Sequence, residues 1–149
     1  MEKKHQSVYA KKQQEGKMTL TKLEKWEQKL EEMLDEIDDI LEDRYGNRYR
    51  LHPVRAARGT TSSKSQDGLI NITANFSLGI GSEKGRGYII KIRLSTLEQV
   101  NKQVYLQIEK IVIAEIRVRM KKFFPYRELK IVKDGNVVKI FGDLSLDSI

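Results

Sequence analysis

The sequence predicts an α+β fold in which an N-terminal amphipathic helix precedes two antiparallel β-hairpins around one long helix. The apolar residues follow a helical spacing up to residue 45, alternate between residues 69 and 94, and return to a helical spacing afterwards. Hairpins on both sides of a single helix favour an antiparallel sheet that is covered on one face. We divide the chain into a flexible basic arm (1–18), an acidic amphipathic helix (19–45) and a basic α+β domain (46–149).

The composition narrows the class of protein. The 149 residues are 39% hydrophobic and 33% charged, which suits one globular core of ordinary size. No run reaches the ~18 apolar residues of a membrane-spanning helix, and the polar N-terminus does not look like a secretory signal. The chain has no Cys, so disulfides, thiol nucleophiles and thiolate zinc sites are excluded. We expect a soluble, cytoplasmic protein.

The first helix is predicted over residues 19–45. Thr21 and Glu24 fit a capping box at its start, and Gly46-Asn47 would end it with a left-handed turn. An apolar seam with heptad spacing runs along the helix. The seam consists of Leu23, Trp26, Leu30, Met33, Ile37 and Ile40. Two interpretations stay open: the seam packs on the protein's own domain, or it binds a partner or a second copy of the chain.

The opposite side of this helix carries carboxylates, which we tested as a metal site. Glu31, Asp35, Asp38 and Glu42 are three or four residues apart and share a face. A carboxylate metal site would also need His or a second acidic helix. The pattern therefore predicts a solvated acidic face and no metal.

The first hairpin is predicted from the alternation of apolar residues. Its strands run from Leu69 through residue 77 and from Tyr88 to Leu94, joined by the glycine-rich segment 79–87. The loop before it, residues 59–68, is polar and exposed.

The second helix is predicted from Leu97 to Phe124, with Ser95 and Glu98 as its capping box and Pro125 as its stop. The stretch 111–120 also alternates as a strand would, so a strand remains the alternative there. The second hairpin pairs 129–133 with 137–141 across Asp134-Gly135-Asn136.

The charge is unevenly distributed along the chain. The net charge is +7, yet residues 19–44 hold ten carboxylates against four cations, while residues 45–149 hold 19 cations against nine carboxylates. A basic surface attracts phosphate, which favours nucleic acid as the ligand. Alternatively, the acidic helix neutralises the basic domain within the same protein.

Two segments could bind phosphate. The glycine loop 79–87 places Lys84 and Arg86 among accessible backbone amides, although it matches neither a P-loop nor a dinucleotide fingerprint. The arginine segment interleaves guanidinium groups with tyrosines, which pair with phosphates and stack on bases. Its candidate residues are Arg48, Tyr49, Arg50, Arg55 and Arg58.

Catalysis finds little support in the sequence. His52 is the sole histidine outside the arm, and no Ser–His–Asp grouping accompanies it. We therefore expect a non-enzymatic binding protein without cofactor or metal, whose basic face contacts RNA or the ribosome. The alternative is a structural or interaction protein that self-associates or docks a protein partner through the seam of residues 19–45.

Overall fold

The computed structural model describes residues 21–80 and 84–144, so the basic arm lies outside the described residues. Within these ranges, two α-helices and four strands follow one another in the order α1, β1, β2, α2, β3, β4, which confirms the predicted α+β class. Their bounds are Lys22–Tyr45 for α1, Ile70–Ser77 for β1, Gly87–Leu94 for β2, Lys102–Phe123 for α2, Leu129–Asp134 for β3 and Val137–Gly142 for β4. Neither α1 nor α2 is long and apolar enough to cross a membrane.

The four strands form one antiparallel sheet in the order β1-β2-β4-β3. Each hairpin pairs as predicted, and the β2–β4 pairing joins the two hairpins through Tyr88↔Ile140 and Ile90↔Val138. This contact ends at Ile90, so the second half of β2 is paired only with β1.

Both helices lie on the same face of the sheet, which we call the inner face. Its buried side chains alternate along the strands and belong to one continuous core. They are Ile70, Ile72, Tyr88, Ile90, Ile92, Ile131, Val138 and Ile140. Helix α1 packs over β1 and α2 packs over β3, and the two helices contact each other. The prediction of a sheet covered on one face is confirmed.

Helix α1 contributes its seam to this core. Met33 and Ile37 are fully buried, Trp26 and Leu30 are nearly so, Ile40 is partly exposed, and Leu23 is about half exposed, at 47%. The Trp26 ring lies 4.4 Å from that of Phe124 and 5.9 Å from that of Tyr88, measured between ring centroids. The seam is therefore covered by the protein's own sheet and second helix, and a partner could reach it only if α1 left the sheet.

The capping box at the start of α1 is confirmed, because the Thr21 hydroxyl accepts a hydrogen bond from the Glu24 amide and the Glu24 carboxylate accepts one from the Thr21 amide. The helix ends at Tyr45 as predicted, but the left-handed turn at Gly46 was wrong, since this residue has φ −56°. Glycine is needed there for another reason. A Cβ on Gly46 would lie 2.5 Å from the Glu42 carbonyl oxygen.

The predicted start of α2 was also wrong. The helix begins at Lys102, capped by Asn101, and not at Leu97 behind a Ser95–Glu98 box. Thr96 and Glu98 instead bind the backbone of Arg50, Thr96 Oγ1 donating to its carbonyl at 2.6 Å and Glu98 accepting from its amide. The stretch 111–120 is helical, because helical spacing buries Val112 and Ile116 together.

The burial of the seam predicts how its substitution affects stability. Replacing Ile37 with Ala should lower the free energy of unfolding by about 2–5 kcal/mol, because it opens a cavity in a fully packed core. Replacing the half-exposed Leu23 with Ala should cost about 1 kcal/mol or less. Urea unfolding at two protein concentrations measures both. A loss at Ile37 that depends on protein concentration would mean that the seam is buried between chains.

Candidate nucleic-acid interface

Two of the predicted phosphate-binding arginines are engaged inside the protein. Arg55 donates to the carbonyls of Gly68 at 2.9 Å and Ser65 at 2.8 Å, so it fastens the two ends of the polar loop. Arg58 pairs with Asp38 at 2.7 Å and also with Asp39, both on α1. These guanidinium groups have structural partners, so we leave them out of the interface.

The carboxylates of α1 also deviate from the solvated face that we expected. Asp38 is buried, and burial raises its pKa to about 7 even though Arg58 lowers it. Glu42 accepts hydrogen bonds from the amides of Leu69 and Ile70, at 3.0 and 3.1 Å, and so holds the start of β1 against the helix. Among the described residues, no cluster of three or more His, Cys, Asp or Glu could hold a metal ion.

Part of the acidic charge is neutralised within the chain, as the alternative in the sequence analysis proposed. Besides Arg58, Lys64 pairs with Asp39, and Arg119 on α2 pairs with Glu36 at 3.0 Å. Hydrogen bonds from Arg119 lower the pKa of Glu36. These contacts use cations from the polar loop and from α2, and on the sheet Lys133 of β3 pairs with Glu109 of α2 at 2.7 Å.

The first part of the arginine segment lies at the C-terminal end of β2. Arg48 and Arg50 are exposed, and the Arg48 guanidinium carbon lies 4.9 Å from the centroid of the Tyr45 ring. Tyr49 is half-buried against the core, so it presents little ring surface to a base. His52 is a turn residue whose Nδ1 accepts from the Val54 amide at 3.2 Å.

The two ends of the glycine loop come close together at Gly79 and Gly85, and we call this point the neck of the loop. Gly79 has φ +73°, and a Cβ built there would lie 1.9 Å from the Gly85 carbonyl oxygen. The two backbones can therefore approach only because residue 79 has no side chain. Gly85 has φ +71° but open space around it.

The two cations of this loop point to different places. Lys84 Nζ lies 5.6 Å from the centroid of the Phe141 ring, on the side of the sheet that faces away from the helices. Arg86 lines an apolar pocket with Leu23 and Trp26 at the start of α1. The structure therefore gives Lys84 and Arg86 different surroundings.

The outer face of the sheet brings together cations that sequence reasoning did not select. No described helix or strand covers this face, but the glycine loop lies over part of β4: Lys139 is buried and donates to the Gly85 carbonyl oxygen, and Lys84 lies beside the Phe141 ring. The outward positions are occupied by Asn71, Thr73, Asn75, Ser77, Gly87, Ile89, Lys91, Arg93, Lys130, Val132, Asp134, Val137, Lys139 and Phe141. One carboxylate, Asp134, accompanies four cations in this set.

Three of these cations are exposed: Lys91 and Arg93 on β2, and Lys130 on β3. None of the three side chains forms an ion pair or a hydrogen bond with a residue that the structure describes. Lys130 lies opposite Phe141 in the β3–β4 register. Alternation along β2 places Lys91 and Arg93 on one side, but only the pairing of β2, β4 and β3 brings Lys130 to that same side.

Comparison with known proteins gives a family without an assigned activity. A family described as "Uncharacterised protein" matches residues 21–142. An "Uncharacterized protein" of Borreliella burgdorferi is 39% identical over 125 residues, which cover 84% of this chain and 98% of the relative. No solved structure matches the chain. The matched region contains every element of the fold.

The neck of the glycine loop predicts a contrast between two substitutions. Gly79→Ala should lower the free energy of unfolding by about 3 kcal/mol, because left-handed strain adds to the clash with Gly85. Gly85→Ala should cost about 1 kcal/mol, since strain acts alone there. Thermal unfolding monitored by circular dichroism measures both, and equal losses would contradict the assigned neck.

The buried carboxyl of Asp38 predicts a pH dependence of stability. Its pKa of about 7 in the folded protein lies above the value near 3.9 of an exposed Asp, so the folded state binds the extra proton. The free energy of unfolding should therefore fall by about 2–3 kcal/mol from pH 5 to pH 8, as this carboxyl ionises in the folded state. Asp38→Asn should lack that part of the slope, as measured by urea unfolding at each pH. Parallel curves for the two proteins would refute the assignment.

Proposed function

The chain belongs to this family of uncharacterised proteins, and we propose that it is a non-enzymatic protein that binds single-stranded nucleic acid, RNA in particular, through the outer face of its sheet. The observation that carries the proposal is the set of exposed cations on that face that have no ion pair within the described part of the chain, Lys91, Arg93 and Lys130. A surface with this charge attracts a phosphate backbone whatever its base sequence.

The spacing of these cations suits an extended strand of nucleic acid. Phe141 of β4 pairs with Gly87 of β2 on one side and with Lys130 of β3 on the other. Lys91 lies four residues beyond Gly87 along β2. Four residues of a strand cover about 13 Å. A backbone crossing the sheet obliquely from Lys130 to Arg93 would thus meet cations at both ends of its path.

Apolar groups between the cations could receive bases. Phe141 and Ile89 are half-buried on the outer face, so part of each side chain is open to a ligand, and a base that stacks on Phe141 would also lie beside Lys84. Bases stack on exposed aromatic rings of open sheets, and such stacking requires bases that are not already paired in a duplex. This requirement is our reason for proposing a single strand.

The other side of the molecule disfavours nucleic acid. Helix α1 carries ten carboxylates and four cations, and most of its charged side chains are exposed. A phosphate backbone would be repelled there, so the charge of the molecule orients a ligand toward the sheet. Arg48 and Arg50, beyond the C-terminal end of β2, would extend the attractive surface past Arg93.

The proposal predicts a difference between two triple variants of equal net charge. Changing Lys91, Arg93 and Lys130 to Ala should weaken binding of a fluorescent uridine 12-mer at least about ten-fold at low salt, by removing phosphate contacts. It should also reduce the slope of log affinity against log salt concentration by about 2, at about 0.7 for each lost contact to a single strand. Fluorescence anisotropy from 50 to 300 mM KCl measures both quantities.

The matched control changes Lys22, Lys25 and Lys29 on α1 to Ala. These three lysines are exposed, and the variant has the same net charge as the sheet variant. It should retain the affinity and the salt slope of the wild type. Equal weakening in both variants would mean that only overall charge matters, and unchanged binding in the sheet variant would contradict the proposed interface.

A further inference from the structure

A groove lies between α1 and the outer edge of β1, and its chemistry differs from that of the basic outer face of the sheet. It has a volume of about 390 Å³, and its walls are the β1 segment 72–76 and the helix side chains Glu27, Leu30, Glu31, Leu34 and Asp35. Strand β1 is the outermost strand of the sheet on this side. The groove therefore sets the edge of β1 at residues 72–76, which no described residue pairs, beside acidic side chains of α1, and Ser65 of the polar loop also lines it.

The backbone of β1 presents hydrogen-bonding groups to this groove. The orientation of the Ile92 carbonyl on β2 shows which way the backbone groups of β1 point. This carbonyl accepts a hydrogen bond from Tyr105 Oη at 2.6 Å, so it faces away from β1. Ile72 pairs with Ile92, so its own N–H and C=O groups also point away from their shared ladder. The same alternation turns the backbone groups of Ala74 and Phe76 into the groove, where no described residue bonds them.

The helix wall is acidic and incompletely neutralised. Glu27 accepts a hydrogen bond from Tyr88 Oη at 3.1 Å, but neither Glu31 nor Asp35 has a hydrogen bond or ion pair among the described residues. Burial, followed by repulsion from Glu31, raises the pKa of Asp35, although Lys64 and Arg58 act in the opposite direction. A cation supplied from outside would relieve that repulsion.

The groove continues into an apolar pocket at the start of α1. This pocket has a volume of about 400 Å³ and shares Glu27, Phe76 and Tyr88 with the groove. Leu23 and Phe76 are each about half exposed at its rim, at 47% and 48%. Such a pocket can hold one apolar side chain of a ligand that lies along β1.

We propose that an extended, lysine- or arginine-rich segment of a partner protein binds in this groove as a fifth strand of the sheet. Its main chain pairs with Ile72, Ala74 and Phe76, and its cations lie beside Glu31 and Asp35. Strand addition provides affinity through the backbone, and the acidic wall selects for positive side chains. A nucleic acid is disfavoured here by the same carboxylates, so this site is independent of the outer face.

The probe is a ten-residue peptide of alternating lysine and valine, added to the full-length protein. Trp26, the only tryptophan of the chain, lines the pocket at the end of the groove, so its fluorescence reports binding. We expect a saturable change with this peptide and none with its glutamate–valine counterpart. The lysine peptide with every backbone nitrogen methylated should not bind, because it cannot form the ladder. Equal binding of the methylated peptide would overturn the proposed pairing.

The acidic wall is tested by two variants with the same change of charge. Glu31→Gln with Asp35→Asn should weaken peptide binding about ten-fold. Glu32→Gln with Asp43→Asn, both exposed on α1, should leave it unchanged. Equal effects of the two variants would overturn the site.

Two other occupants would also overturn the proposal of a separate partner. One is a second copy of the chain, which would show as a wild-type dimer that the peptide dissociates in sedimentation experiments. The other is the chain's own basic residues. In that case the peptide would bind only after Lys3, Lys4, Lys11, Lys12 and Lys17 are changed to Gln. A monomeric wild type that binds the peptide directly supports the proposal.

Discussion

The burial of the α1 seam against one face of the sheet is the constraint on which the rest of the structure depends. Because α1 and α2 both pack on the inner face, the core needs no element on the outer face, where Lys91, Arg93 and Lys130 remain exposed. The same arrangement turns the acidic side of α1 away from the sheet. The exposed cations of the sheet and most acidic side chains of α1 therefore lie on different sides of the molecule, and Glu27, Glu31 and Asp35 lie beside the edge of β1 at residues 72–76, which no described residue pairs.

A polar network fixes the direction in which α1 approaches the sheet. Arg58 contacts Asp38 and Asp39, and Glu42 binds the first amides of β1. Asp38 is the buried carboxyl among these, and it is tolerated because Arg58 donates to it, whereas an unpaired buried carboxylate would cost several kcal/mol. The sequence of the arginine segment suggests that all of its cations could bind phosphate. In the structure, Arg55 and Arg58 instead form contacts within the protein, and Arg48 and Arg50 are exposed.

Local patterns were sufficient for most of the fold. Period and capping predicted α1, and period with turn residues predicted both hairpins, since these depend on neighbours a few residues apart, whereas the stretch 111–120 fitted a helix and a strand alike until the structure showed a helix. The start of α2 was missed because Thr96 and Glu98 bind Arg50, a residue 48 positions from Glu98 in the sequence. The outer-face cations were missed for the same kind of reason: Lys91 and Lys130 share a face only through the β2–β4–β3 register. Burial of Asp38 likewise depended on the distant Arg58.

The most direct test of the account is an NMR titration of the isotope-labelled full-length protein with an unlabelled single-stranded uridine 12-mer at low salt. The account predicts that amide shift changes concentrate on residues 89–93 of β2, on β3 around Lys130 and on β4 at Phe141, and that they shrink as salt is added. The amides of α1 should stay in place. No shift changes at low salt, or changes confined to α1 and the edge of β1, would contradict the claim that the outer face of the sheet binds nucleic acid.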